Sequence, residues 1–178
     1  MPGEHLNAQS RLIVTGLDDN GKSTIISDGN TEVRVATPGF TVMELWQFDS
    51  IPNNILAPNT LGTDPVIDPP ANGLTVRIAS FPPDSEFDAA AYAESLDAFH
   101  GGDSHDGAEE GQAGGLWHET DTVDVVTLLS GELYAVTETG ETKMVPGDTI
   151  VNRGIKHIWS NKTDKPAVVL ATMVAATR

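Results

Sequence analysis

From residue 123 to residue 174 the chain is divided by glycine into runs too short for helices. Gly131, Gly140, Gly147 and Gly154 separate the stretches 123–129, 132–138, 142–145, 149–151, 157–160 and 167–174, which are rich in Val, Ile and Thr. Short β-branched runs bounded by turn residues pair as strands, whereas a helix needs a longer run with a 3.6-residue period. A succession of such strands buries its apolar faces only by closing into a barrel or stacking as a sandwich.

Upstream, 11–15, 24–27, 32–36, 41–48 and 74–81 carry the same signature, so the expected class is all-β. The exception is 86–99, where Ala89, Ala90, Ala91, Glu94 and Leu96 predict one short helix. Residues 49–73 hold Pro52, Pro58, Pro65, Pro69 and Pro70 and show no sustained period. A loop of that length in a compact domain wraps a neighbour or covers a site. Residues 101–115, rich in glycine and acid, read as a mobile loop. No repeat is visible, so a single domain over 1–178 is expected. Its parts are N-terminal strands and a proline-rich loop (1–84), the helix and Gly/acid-rich loop (85–114), and the barrel core (115–178).

Charge narrows the partners. With 26 acidic and 10 basic residues the 178-residue chain carries −16 and has a pI near 4.4. That field repels phosphate backbones and anionic lipid, which argues against nucleic acid and membrane surfaces. The N-terminus lacks the basic-then-apolar order of a secretory signal, and the longest apolar run, 167–176, is far short of the ~20 residues a membrane helix needs. A cytoplasmic location is the expectation. There is no cysteine, so disulfides, thiolate metal sites and Cys nucleophiles are excluded.

One motif invites a wrong reading. Gly16, Gly21, Lys22 and Ser23 fall in the phosphate-loop spacing Gly-x4-Gly-Lys-Ser. That chemistry needs a helix to follow, so that backbone N–H groups face the phosphates. Here Thr24, Ile25 and Ile26 follow and the loop carries Asp18 and Asp19, so a hairpin turn and no nucleotide are expected. His100 and His105 lie near Asp103, Asp106, Glu109 and Glu110 in the Gly-rich stretch, but exposed His in such loops are usually unligated. Asn161, Lys162 and Thr163 spell a glycosylation sequon, which without a secretory signal carries little weight.

The chemistry-bearing residues cluster late in the chain. His118, Thr120 and Asp124 are followed by Gly131, and Gly147 by Arg153, Gly154, His157, Trp159 and Asn161. On a straight strand His118 and Asp124 would lie about 20 Å apart, so they share a site only if the chain reverses near residues 120–122. His157 and Trp159, two apart, share a strand face. If His157 faces a cavity, Trp159 lines it too, while Trp117 points away from His118's side. Two imidazoles and a carboxylate suit a facial triad for a divalent ion, or equally a metal-free polar pocket.

These residues resemble the two motifs of the cupin superfamily, Gly-x5-His-x-His-x3or4-Glu-x6-Gly and Gly-x5-Pro-x-Gly-x2-His-x3-Asn. His118 takes the first His position, Thr120 the second and Asp124 the Glu position, while the second motif keeps Gly154, His157 and Asn161. The departures are Thr120, which is not a metal-grade ligand, and a second motif one residue short with Asn152 where proline is usual. The last third of the chain carries the resemblance strongly, and 11–84 only weakly. It implies a double-stranded β-helix, a jelly-roll barrel with an N-terminal strand extension, and commonly a homodimer. It also implies a divalent metal (Fe, Zn, Mn, Ni or Cu) on His118, Asp124 and His157, with Thr120 and Trp159 contacting substrate. Expected functions are metal-assisted dioxygenase or lyase chemistry on a small carbonyl-containing molecule, or a metal-free lyase, isomerase or dehydratase using His acid–base catalysis. A non-catalytic small-ligand module is the third reading. A fold of this kind does not choose among them.

Overall fold

The computed structural model describes residues 2–97, 110–111 and 115–178. The strands are β1 (Arg11–Leu17), β2 (Ser23–Asn30), β3 (Arg34–Ala36), β4 (Thr41–Phe48), β5 (Leu74–Phe81), β6 (Glu110–Gly111), β7 (Gly115–Leu116), β8 (Thr122–Ser130), β9 (Leu133–Thr137), β10 (Gly140–Met144), β11 (Thr149–Asn152), β12 (His157–Ser160) and β13 (Ala167–Ala175), with helix α1 at Ala89–Asp97. His100 and His105, and most of the expected 101–115 loop, lie outside the described residues.

Two antiparallel sheets face one another. One runs β11-β8-β13-β5-β4-β3 and the other β10-β9-β12, extended past β12 by an antiparallel bridge between His118 and His157. Apart from the two-residue strands β6 and β7, which pair with each other, the eight strands from β5 through the His118 edge to β13 divide between the sheets in jelly-roll order: β5, β13, β8 and β11 in one, the His118 edge, β12, β9 and β10 in the other. The expected double-stranded β-helix is present. Of the N-terminal strands, β3, β4 and β5 are integral to it, since β5 pairs with β13 over its whole length, β4 with β5 and β3 with β4, whereas β1 and β2 pair only with each other.

Alternation explains the core. Along β13, Ala167, Val169, Ala171 and Met173 are buried and the residues between them half-buried, so one face packs inward. Val126 and Leu128 of β8 meet Leu133 and Ala135 of β9 across the barrel. Leu128 is fully buried, which stabilises the fold by about 1.5–3 kcal/mol.

Three local expectations meet their outcome here. The helix starts at Ala89 rather than residue 86, because Pro82 and Pro83 lead into a short 3-10 turn and Asp88 is the cap, its Oδ1 accepting the Ala91 N–H at 2.9 Å. Residues 16–23 form a hairpin end in which Asp18 Oδ1 accepts the N–H groups of Asn20 (2.9 Å) and Lys22 (2.8 Å). The carboxylate thus uses the donors a phosphate would need, and those bonds hold Asp18 below its ordinary value. The proline-rich 49–73 loop lies against the barrel: Ile67 packs on the core and the Val66 carbonyl accepts a hydrogen bond from Arg77 Nη2 at 3.1 Å.

Candidate active site

The polar residues singled out in the sequence line one cavity of about 120 Å³ inside the barrel. Its walls are mostly apolar, including Phe40, Phe81, Val126, Val169 and Met173, and one end is polar, with His118, Thr120, Asp124, His157 and Arg77. Trp159 lines the same space, as its two-residue spacing from His157 requires. Trp117 does not; its ring lies under Lys156, with Nζ 5.7 Å from the centroid.

Backbone register brings the imidazoles together. His118 N–H donates to the His157 carbonyl (3.2 Å) and His157 N–H to the His118 carbonyl (3.0 Å). Such a directly opposed pair puts both side chains on one face. The rings sit 4.2 Å apart, tilted by 55°, and His157 in turn makes an edge contact with Trp159 at 5.6 Å.

After His118 the chain turns, so Asp124 returns to the cavity from β8. Thr120 and Thr122, both buried, close that turn through a 2.6 Å hydroxyl–hydroxyl hydrogen bond. Gly154 of the second motif packs on it. Its φ is +60°, and a Cβ there would lie 2.7 Å from the Thr120 carbonyl oxygen, so only glycine fits.

His157 is 7% exposed and its ring orientation is fixed. Nδ1 lies 2.8 Å from the Ile155 carbonyl, which can only accept, so Nδ1 carries the proton. Asn152 Nδ2 lies 2.9 Å from Nδ1 and 3.0 Å from Nε2, in contact with both ring nitrogens. Asn152, standing where the motif usually has proline, therefore holds the second-motif histidine.

Asp124 is 6% exposed, and burial is the main influence raising its carboxyl above the ordinary value. A Thr122 hydrogen bond and the Arg77 charge pull it down, and Asp68 pushes it up. Among the described residues its Oδ1 has no hydrogen-bond partner. Below it lies an ion pair the sequence reading did not identify: Arg77 Nη2 and Glu44 Oε1, 3.1 Å apart and directly opposed on β5 and β4. Burial raises Glu44 and lowers Arg77, each against the attraction of the other. Each is the one charged residue of its strand, of opposite sign, which is the signal that could have paired them. Tyr92 from α1 also lines the cavity, its phenol pushed up to about 12 by burial.

The donor set does not fit a resident metal ion. Among the described residues no group of three or more His, Asp or Glu is gathered to hold one. His157 is engaged by the Asn152 amide and the Ile155 carbonyl, while Thr120 offers a hydroxyl already bound to Thr122.

No family profile matches the chain. It is similar to the oryzines biosynthesis cluster protein J of Aspergillus oryzae, 40% identical over 60 residues, which are 33% of this chain and 31% of that protein. A phomopsin biosynthesis cluster protein D of Diaporthe leptostromiformis is 37% identical over 49 residues, 27% and 26% of the two chains. The matched region thus spans about a third or less of these relatives. Among solved structures it is similar to a cupin superfamily protein of Desulfitobacterium hafniense (13% identity, 76% of this chain and 77% of that one, TM-score 0.42). An RmlC-like cupin of Shewanella frigidimarina gives 13% identity, 83% and 86% coverage and a TM-score of 0.42, and KdgF of Halomonas gives 10%, 79%, 83% and 0.43. Likeness at this level carries nothing about chemistry.

Proposed function

We propose that this chain, with the jelly-roll fold of the cupins, takes a small, largely apolar carbonyl compound into the barrel and moves protons on it without a metal, as a lyase, isomerase or dehydratase does. The observation that carries this is Asp124: a buried carboxyl, raised in pKa and with Oδ1 lacking a hydrogen-bond partner among the described residues, on the wall of an apolar cavity that His118 also lines. A carboxyl raised in this way is a stronger base than an ordinary aspartate and suits proton abstraction near neutral pH.

In this reading the Asp124 carboxylate removes a proton from the carbon next to a carbonyl, becoming a carboxylic acid and leaving an enolate. His118 supplies a proton to another atom of the same molecule, and exchange with solvent resets both groups. His157 holds His118 through a tilted ring contact and the reciprocal backbone bonds, and is itself held by Asn152 and the Ile155 carbonyl, so it positions rather than transfers. Trp159, Phe81 and the aliphatic walls select an apolar body. The matched relatives named for biosynthesis clusters support a small organic substrate.

The test is deuterium incorporation from D2O into a panel of small carbonyl compounds, followed by NMR. The expected result is exchange by the parent protein, lost in Asp124→Asn and reduced at least tenfold in His118→Ala. Exchange that survives Asp124→Asn, or that stops on chelation and returns with a divalent ion, overturns the reading. Binding without exchange favours the non-catalytic ligand module.

A further inference from the structure

Helix α1 is fastened to the barrel at Gly39. Ser95 Oγ accepts the Gly39 N–H at 3.1 Å and donates to the Ala91 carbonyl at 2.6 Å. A Cβ on Gly39 would stand 2.9 Å from Tyr92 Cδ2 and 3.0 Å from Ser95 Oγ, so the helix lies as near as glycine permits. This contact places the Tyr92 ring. It packs edge-on against Phe40, with centroids 5.7 Å apart, and against Phe87 at 5.6 Å. Phe40 lines the barrel cavity, whereas Phe87 lines a second, smaller hollow of about 20 Å³. Phe81, Tyr92, His118 and Trp159 line both spaces, which therefore share a wall. The polar groups of the hollow are already used. Asp84 Oδ1 accepts the Asn161 N–H at 2.7 Å and Oδ2 the Ser160 hydroxyl at 2.6 Å, while the Asn161 amide donates to the carbonyls of Phe81 and Lys165. Beyond His118, the surface left to face a ligand is hydrocarbon, from Phe81, Pro82, Pro83, Phe87, Ile158 and Trp159.

We propose that Tyr92 is the specificity-determining residue of the site: its ring ends the cavity toward the hollow, so the protein takes straight-chain monocarbonyl compounds whose hydrocarbon tail stops at that ring. The proposal rests on the proton-transfer reading only for the placement of the carbonyl between Asp124 and His118. The lining gives the ligand its direction. Asp124 and Arg77 line the main cavity alone, His118 lines both spaces, and the path from Asp124 past His118 leads to Tyr92. Volume gives the length limit. The hollow has space for about one water-sized group, against about 120 Å³ in the cavity, so a tail that passed the ring would find room for no more than that. Removing the ring joins the two spaces. Each further methylene buried there should tighten binding about fourfold.

Straight-chain methyl ketones of increasing length are the probes, and tryptophan fluorescence reads their binding, since Trp159 lies in the shared wall. In the parent, affinity should rise about fourfold per methylene to one length and then level off or fall. Tyr92→Phe keeps the ring and should keep that limit. Tyr92→Ala, with its fold checked by circular dichroism, should bind the first ketones beyond the limit about tenfold or more tighter than the parent does. A limit unchanged in Tyr92→Ala, or relaxed equally in Tyr92→Phe, overturns the proposal, as does a series in which no ketone binds. A second measurement needs only the parent. The chain has two tyrosines, and Tyr134 lies under Lys162, Nζ 4.1 Å from its ring centroid, lining neither space. In tyrosine-labelled protein the terminal methyl of the longest ketone bound should show a nuclear Overhauser contact to the Tyr92 ring. A bound ketone without that contact overturns the assignment even where Tyr92→Ala does not fold. Deuterium exchange on the same ketones separates this proposal from the reading it rests on: a length limit set by Tyr92 without exchange supports the specificity role and removes the proton transfer, while exchange that ignores Tyr92 does the reverse.

Discussion

Replacing Arg77 by Met removes the buried cation from a place where Glu44 is 1% exposed and Asp124 6% exposed. Met keeps most of the side-chain volume, so the loss is chiefly electrostatic. Leaving a buried partner charge uncompensated costs about 3–5 kcal/mol at neutral pH. At about 2–4 °C per kcal/mol for a chain of this length, the variant should melt roughly 6–20 °C below the parent. The cost must depend on pH. Burial already raises Glu44, and without Arg77 it rises further. A carboxyl raised by folding contributes stability fully below its unfolded value and loses it as pH rises through the folded value. Acid therefore neutralises the orphaned Glu44 and shrinks the deficit, while neutral pH exposes all of it. Urea titrations of parent, Arg77→Met, Glu44→Met and the double variant, at neutral and mildly acidic pH, close the cycle. The double variant should recover most of the loss and could exceed the parent by about 1–4 kcal/mol, since burying the pair is itself costly. An Arg77→Met deficit below about 1 kcal/mol at neutral pH, or one equal at both pH values, refutes the reasoning.

Asp124→Asn should be at least as stable as the parent at neutral pH and show a flatter stability–pH curve, because burial raises the native carboxyl and its stabilisation is lost as pH rises; thermal melts across pH 4–8 read this out. Asn161→Ala should cost about 2–4 kcal/mol in urea, since its amide donates to the carbonyls of Phe81 (3.3 Å) and Lys165 (2.7 Å) while its Oδ1 accepts from Thr163. Dialysis against a chelator should leave deuterium exchange unchanged, and elemental analysis of untagged protein should find far less than one metal per chain. His157→Ala should reduce exchange less than His118→Ala, because it removes support rather than a proton carrier.

The sequence was most legible where pattern and pairing coincide. The bounds of β4, β5 and β12 follow directly from their alternating or β-branched runs, and the glycine that packs on the 120–122 turn stands at its motif position. The ends of β2 were missed because Asp28, Gly29 and Asn30 read as turn formers, although pairing with β1 carries the strand through them. Glu44 and Arg77 escaped because nothing in one dimension states that β4 and β5 lie side by side in that register. Asn152 was read as a missing proline, yet its role against His157 depends on a side-chain contact that spacing does not reveal.

The bridge between His118 and His157 rests on two reciprocal hydrogen bonds at the edge of its sheet. A slip of one residue across it would present Trp117 or Glu119 to the cavity instead of an imidazole. Amide hydrogen exchange at these two positions consequently reports how much of the time the histidine pair is assembled. That fraction is set by opening of one sheet edge, at a free energy below global unfolding. Variants of the preceding segment could then be ranked by their effect on the pair without any substrate in hand.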